Sequence, residues 1–197
     1  RKVIIFVSDA FVEHYVGGAE LTTESLVTSC LLPKIKVLSQ QVTVDFLKSN
    51  KDNFFIFGNF QNLRFDCVLY AIKNLNYSIL EYEYRSPGKH IESEGICDCQ
   101  NSQNGKLISL FLHSAKCLWW MSESQKQTYR KVFPFLSGSV LSSVFCDKTL
   151  DYIESLDISN KNDKWIILNS NSWIKGVEEA VEYAKENNLE YELVWGL

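Results

Sequence analysis

Val3-Ile4-Ile5-Phe6-Val7, followed after a short loop by Gly17-Gly18-Ala19-Glu20, is the stretch whose reading decides the fold. A short apolar run rich in β-branched residues reads as a buried strand. The glycine pair then opens the segment Ala19 to Leu32, in which Leu26, Val27, Cys30 and Leu31 share one helical face. Pro33 stops that helix, because its ring disfavours helical geometry in the residue before it. A strand that feeds a helix through a glycine turn is the first half of a βαβ unit.

The same rhythm continues along the chain. Ile35 to Leu38, Asn53 to Phe57, the aromatic-rich Tyr77 to Tyr84, and Cys117 to Met121 read as strands, with a short sixth over Ser139 to Ser143. Asn59 to Asn74 reads as a helix. Ser122 with Gln125 three positions on is a capping-box start for another, which ends near Phe133-Pro134. Such alternation predicts an α/β fold, a Rossmann-like parallel sheet with helices on both faces. The segment Arg85 to Gly105 breaks the pattern, and a loop of that length is usually functional or mobile.

A short helix over Leu150 to Leu156 is followed by the polar, aperiodic run Asp157 to Lys164. These features predict a Rossmann-like domain over residues 1–156, a linker over 157–164 and a single βαβ unit over 165–197. In that unit Trp165 to Leu168 and Tyr191 to Trp195 are strands, and Val177, Ala180, Val181 and Ala184 line one helix face. Two strands and a helix do not close a core. The unit is expected to pack on the first domain, on a partner or second copy, or on a remainder of its own domain.

Composition narrows the function classes. The net charge of -4 argues against nucleic acid, whose binders need a basic face. No apolar stretch approaches the ~20 residues of a membrane span. Four of the six cysteines sit in apolar or helix-like runs, where a thiol behaves as a small hydrophobe. That usage suits a reducing, cytoplasmic compartment.

Two motifs point to chemistry. Gly17 and Gly18 let the backbone approach a ligand, and the helix start behind them offers unpaired N–H groups suited to a diphosphate. The other reading is a tight turn with no ligand. Ser172-Trp173-Ile174-Lys175-Gly176 opens the last helix, where Lys175 reaches a phosphate or is simply solvated. In order along the chain, these motifs resemble the family 4 retaining glycosyltransferases of the two-Rossmann (GT-B) architecture. Trp119-Trp120-Met121-Ser122-Glu123-Ser124-Gln125 resembles that family's strand-then-Ser before the last helix of its first domain, and Ser139 to Phe145 its pre-linker strand and turn. Glu81-Tyr82-Glu83-Tyr84, Arg85-Ser86-Pro87 and Cys97-Asp98-Cys99 resemble a sub-branch associated with phage and environmental genomes.

The resemblance implies a donor diphosphate facing Gly17 and Gly18 across an interdomain cleft, Lys175 as the phosphate-binding lysine, and a sugar acceptor on the first domain. It implies a nucleotide-diphosphate-sugar donor, a glycan acceptor, retention of configuration and no obligatory metal, although a divalent ion is compatible with it. The family's Gly-Arg pair before the lysine is replaced here by Asn169 and Ser170, which cannot supply the charge an Arg gives to a leaving diphosphate. The family's later acidic motif would fall beyond Leu197.

Further candidate contacts are His14 before the glycine turn, Glu81 and Glu83 on one side of their strand, Tyr84, Asn169 and Ser122. Cys97, Cys99 and His90 lack a second ligand pair, so no metal site is expected there. No residue stands out as nucleophile or base. Sugar transfer is the leading reading. The alternatives are a non-catalytic nucleotide-sugar or glycan binder and a protein-interaction module built on the incomplete last unit.

Overall fold

The computed structural model describes residues 2–83, 101–157, 159, 163–171 and 175–195. The chain divides into two units, Arg1–Cys146 and Asp147–Leu197. This division precedes the polar segment 157–164, so the short helix before that segment goes with the second unit.

The first unit runs β1 (Ile4–Ser8), α1 (Gly18–Ser29), β2 (Lys34–Leu38), a 3-10 turn (Ser39–Gln41), α2 (Val44–Ser49), β3 (Phe54–Phe57), α3 (Phe65–Asn74), β4 (Asn76–Glu81), α4 (Gln103–Ser114), β5 (Leu118–Trp120), α5 (Glu123–Val132) and β6 (Ser139–Val140). The six strands are parallel throughout, in the order β2-β1-β3-β4-β5-β6. The Rossmann-like α/β sheet flanked by helices, expected from the alternation of strand and helix patterns, is the observed fold. Strand order reverses between β1 and β3. In open parallel sheets the ligand crevice lies outside the carboxyl ends of the strands at that point.

Alternate residues of the central strands feed different cores. Ile5, Val7, Phe55 and Phe57 join one cluster with Tyr77, Phe111 and Trp120, while Phe6, Phe11 and Val27 form a second, smaller one. The larger side is aromatic. Tyr77 stacks on Phe111 at 4.8 Å between centroids and donates its hydroxyl hydrogen to the Phe111 carbonyl at 2.8 Å. The smaller side is covered by α1, whose buried residues are mostly polar: Glu20, Thr22, Thr23 and Ser25, with Val27.

Several elements end differently from their sequence patterns. Helix α1 stops at Ser29, and Lys34 Nζ donates to the Cys30 carbonyl at 2.6 Å just past its end. Leu31, placed on the helix's apolar face by periodicity, is 99% exposed. Helix α3 starts at Phe65 rather than near Asn59, β4 stops at Glu81 rather than Tyr84, and β6 spans only Ser139–Val140, two residues before Ser142 turns left-handed at φ 64°. Helix α2, absent from the pattern reading, starts at a Thr43 cap that accepts from the Phe46 N–H at 3.1 Å.

The second unit contains α6 (Asp147–Ser155), β7 (Trp165–Asn169), α7 (Val177–Glu186) and β8 (Tyr191–Trp195). Strands β7 and β8 pair in parallel from Trp165 opposite Tyr191 to Asn169 opposite Trp195. Ile167 and Ala184 are buried between sheet and helix. No helix among the described residues is long and apolar enough to cross a membrane.

Gly138 gives a direct test of the sheet edge. Its φ is +139°, and a Cβ there would collide with the Leu118 carbonyl oxygen and lie 2.9 Å from Trp120 Nε1. Both the conformation and the close approach exclude a side chain. Gly138→Ala is expected to cost at least ~3 kcal/mol in urea unfolding. A loss under ~1 kcal/mol would show that β5 and β6 do not pair as described.

Candidate functional site

The carboxyl edge of β1 and β3 is built from short polar side chains on four elements. β1 delivers Ser8 and β3 is followed at once by Gly58. Above Gly58 three side chains converge: a Cβ there would lie 3.3 Å from Tyr82 Cε2, 3.5 Å from Ser8 Oγ and 3.7 Å from Thr23 Oγ1. The Tyr82 and Thr23 hydroxyls share a hydrogen bond of 2.8 Å, which ties the end of β4 to α1. Burial pushes the Tyr82 phenol up to about 12; the Thr23 hydrogen bond opposes this and the nearby Glu20 charge adds to it.

The two glycines of the β1–α1 turn have different jobs. Gly17 is the N-cap of α1 in an extended conformation. A Cβ on it would sit 2.6 Å from Glu20 Oε2 and 2.7 Å from the Tyr15 ring, so its absence of a side chain makes room for packing. Gly18 begins the helix with no atom within 4 Å of where its Cβ would be. One glycine is filled by the protein itself; the other faces open space.

Behind the turn, Asp9 fixes the edge. Its Oδ2 accepts from the Gln61 N–H at 2.8 Å and its Oδ1 from the Asn62 N–H at 3.0 Å, and Oδ1 also accepts from the Ser39 hydroxyl. Its own N–H donates to the Asn59 carbonyl at 2.6 Å. Loops after β1, β2 and β3 are thereby held together.

The other residues singled out from sequence are dispersed. His14 is exposed in the β1–α1 loop and donates its backbone N–H to the Phe11 carbonyl at 2.8 Å. Glu81 and Glu83 do not share a strand face, because β4 ends at Glu81. Glu81 is fully buried and one of its carboxylate oxygens accepts from the Glu83 N–H at 3.2 Å. Glu83 is turned outward while its carbonyl accepts from Gln125 Nε2 at 3.3 Å and the Tyr129 hydroxyl at 3.1 Å. Ser122 caps α5, accepting from the Gln125 N–H at 3.1 Å, while Gln125 reaches back to the Met121 N–H at 2.8 Å. In the second unit, Lys175 is exposed immediately before Gly176, the left-handed N-cap of α7 at φ 64°, and Asn169 ends β7 half-buried. Tyr84, His90, Cys97 and Cys99 lie outside the described residues. Among the described residues no group of three or more His, Cys, Asp or Glu side chains could hold a metal ion.

Two cavities open at the opposite, amino-terminal edge of the sheet. One of about 210 Å³ is lined by His113, Lys116, Cys117 and Gly138 among others, and one of about 260 Å³ by Lys2, Asp52, Asn76 and Lys116. Neither touches the glycine turn.

Sequence patterns pointed to the glycines but not to Ser8, Asp9, Glu20, Thr23 or Tyr82. The available signal was the run Thr22-Thr23-Glu24-Ser25 in a helix that should present apolar residues to the sheet. The chain matches no protein-family model and no curated protein.

Tyr82 carries a pH signature. The folded phenol keeps its proton to about 12, whereas the ordinary value is 10.0. A raised folded value gives stability that is complete below the unfolded value and is lost as the pH rises through the folded one. Tyr82→Phe should therefore flatten the fall in stability between pH 10 and about 12. At neutral pH it should cost ~1 kcal/mol for the lost Thr23 hydrogen bond. Urea melts across that range check both; an unchanged alkaline slope would show that the phenol is not buried as described.

Proposed function

We propose that the chain is the acceptor-side Rossmann part of a GT-B-type glycosyltransferase with the start of its donor-binding part, and that it moves a sugar from a nucleotide-diphosphate-sugar to a carbohydrate acceptor. The observation that carries this reading is Gly18. It stands at the first turn of the 12-residue helix α1, at the carboxyl end of β1, beside the reversal of strand order, with nothing within 4 Å of its missing side chain. Unpaired amides at such a helix start attract phosphate. The Glu20 carboxylate lies against Gly17, which leaves the Gly18 side of the turn for the anion. The second unit offers an exposed lysine, Lys175, at the start of a helix that follows a parallel strand.

The chemistry would be electrostatic: amides and an ammonium stabilise the diphosphate as it leaves, with no obligatory metal. Retention of configuration follows from the family resemblance, and a cytoplasmic setting from the cysteine usage. No side chain is assigned as nucleophile or base. Asn169 and Ser170 support a second reading, a nucleotide-sugar or glycan binder without turnover. Both are neutral where a bidentate Arg would offset the leaving charge. Release of nucleoside diphosphate from nucleotide-sugars in the presence of simple glycosides separates the two.

Gly18→Val should abolish binding of nucleoside diphosphates in calorimetry while the melting temperature stays unchanged, since the added side chain meets only open space. Unaltered binding would remove the glycine turn from the donor site.

Lys175→Ala should weaken nucleoside diphosphate binding by about 1.5–3 kcal/mol, the scale of a hydrogen bond to a charged group. Lys175→Arg should recover part of this, because a planar fork does not replace a compact ammonium. The bare nucleoside should bind all variants alike. An equal loss for nucleoside and diphosphate would remove Lys175 as a phosphate contact.

A further inference from the structure

The amino-terminal edge of the first unit's sheet carries a group of donors that the sugar-transfer reading does not use. His113 stands in the last turn of α4, and Lys116 and Cys117 lead into β5. Ser137 and Gly138 lead into β6, which Ser139 begins. Because β5 and β6 pair in parallel, the chain enters both strands at the same edge. These six residues line one cavity of about 210 Å³. The backbone fixes Lys116 there through its N–H, which donates to the Tyr77 carbonyl at 2.7 Å. The His113 ring stands edge-on to Phe135 at 5.3 Å between centroids.

The charged and polar side chains of this cavity are donors: an ammonium, an imidazole and two hydroxyls. No acidic side chain lines it. The Lys116 ammonium makes no ion pair among the described residues, although Asp52 borders a neighbouring cavity with it. In a chain of net charge -4, such a cavity selects an anion. Its volume limits which one. Pockets for cofactor-sized ligands run ~300–1,000 Å³, so 210 Å³ does not take a nucleotide. At ~30 Å³ for each water it has room for a tetrahedral oxyanion with part of its hydration shell. Phosphate oxygens accept several charge-assisted hydrogen bonds at once, which matches donors arriving from two loops. We propose that this cavity is a phosphate-group site, in which Lys116 supplies the charge and His113, Ser137 and Ser139 supply further hydrogen bonds. It lies at the edge of the sheet opposite the glycine turn and is independent of the donor diphosphate contact.

The phosphate group belongs either to the free ion or to a phosphomonoester, and Cys117 reports on both. Its thiol is exposed and lines the cavity, whereas Cys146 is exposed elsewhere and serves as an internal control. Alkylation of the whole chain by iodoacetamide would be followed by peptide mass spectrometry. Inorganic phosphate and a hexose 6-phosphate would each be compared with chloride at equal ionic strength. At ten times its Kd, the bound anion should slow alkylation of Cys117 ~tenfold by mass action and leave Cys146 unaffected. Protection by inorganic phosphate alone marks a site for the free ion; protection by both anions marks a phosphomonoester site. Lys116→Met keeps the stem, removes the charge and should abolish protection, while Lys116→Arg should retain it. Ser139→Ala should weaken it to a smaller extent. Lys116 is exposed, so its variants should melt with the parent chain in chloride. Phosphate should raise the melting temperature of the parent chain and not that of Lys116→Met. The site is overturned if neither anion protects Cys117, if Cys146 is protected equally, or if Lys116→Met leaves protection unchanged.

Discussion

The Asp9 carboxylate holds the carboxyl edge of the first unit's sheet together. A parallel sheet leaves its loops at the strand ends without ladder partners, so something must satisfy them. Asp9 does this for three strands at once. It takes the Gln61 and Asn62 N–H groups after β3 and the Ser39 hydroxyl after β2, while sitting directly after β1 itself. Hydrogen bonds to a charged group are worth about twice neutral ones. Because those two amides are committed to Asp9, the chain after β3 cannot begin its helix at Asn59, and α3 waits until Phe65. Gly58 thereby stands at the centre of the edge, where Tyr82, Ser8 and Thr23 pack over it.

The two faces of the sheet bury different kinds of side chain. The aromatic side, with Phe55, Phe57, Tyr77 and Phe111 packed ring on ring, supplies most of the buried apolar surface. The α1 side buries Glu20, Thr22, Thr23 and Ser25 instead. Some of these are matched, Thr23 by Tyr82 and Thr22 by the Val144 N–H. Polar groups on that face cost stability that an apolar stripe would have provided, and such local violations of the folding pattern cluster where a protein binds something. The aromatic side offsets that cost.

Sheet and strand count were legible because buried parallel strands announce themselves as continuous apolar runs, and Val3 to Val7 and Asn53 to Phe57 needed no tertiary information. The second unit's strand over Tyr191 to Trp195 was legible to the residue. What failed were boundaries set by long-range partners. Glu83 looked like a strand residue by alternation, but its carbonyl is claimed by Gln125 and Tyr129 from α5, which ends β4 early. Leu31 looked like the helix's apolar face, but the helix ends before it reaches the sheet. For the site, the glycine turn was visible because two adjacent glycines are conspicuous. Thr23 and Tyr82 were not, because each acquires meaning only when α1, β3 and the end of β4 meet over Gly58.

Electrostatics at the α1 terminus sets what the turn can hold. A helix start carries roughly half a positive charge. The Glu20 carboxylate carries a full negative one and lies against the N-cap, so the turn as a whole is slightly negative despite its free amides. An anion at the start of α1 is therefore not held by the free amides alone, because the carboxylate three residues on opposes them. Positive charge from outside the helix has to tip that balance before the turn can hold a phosphate.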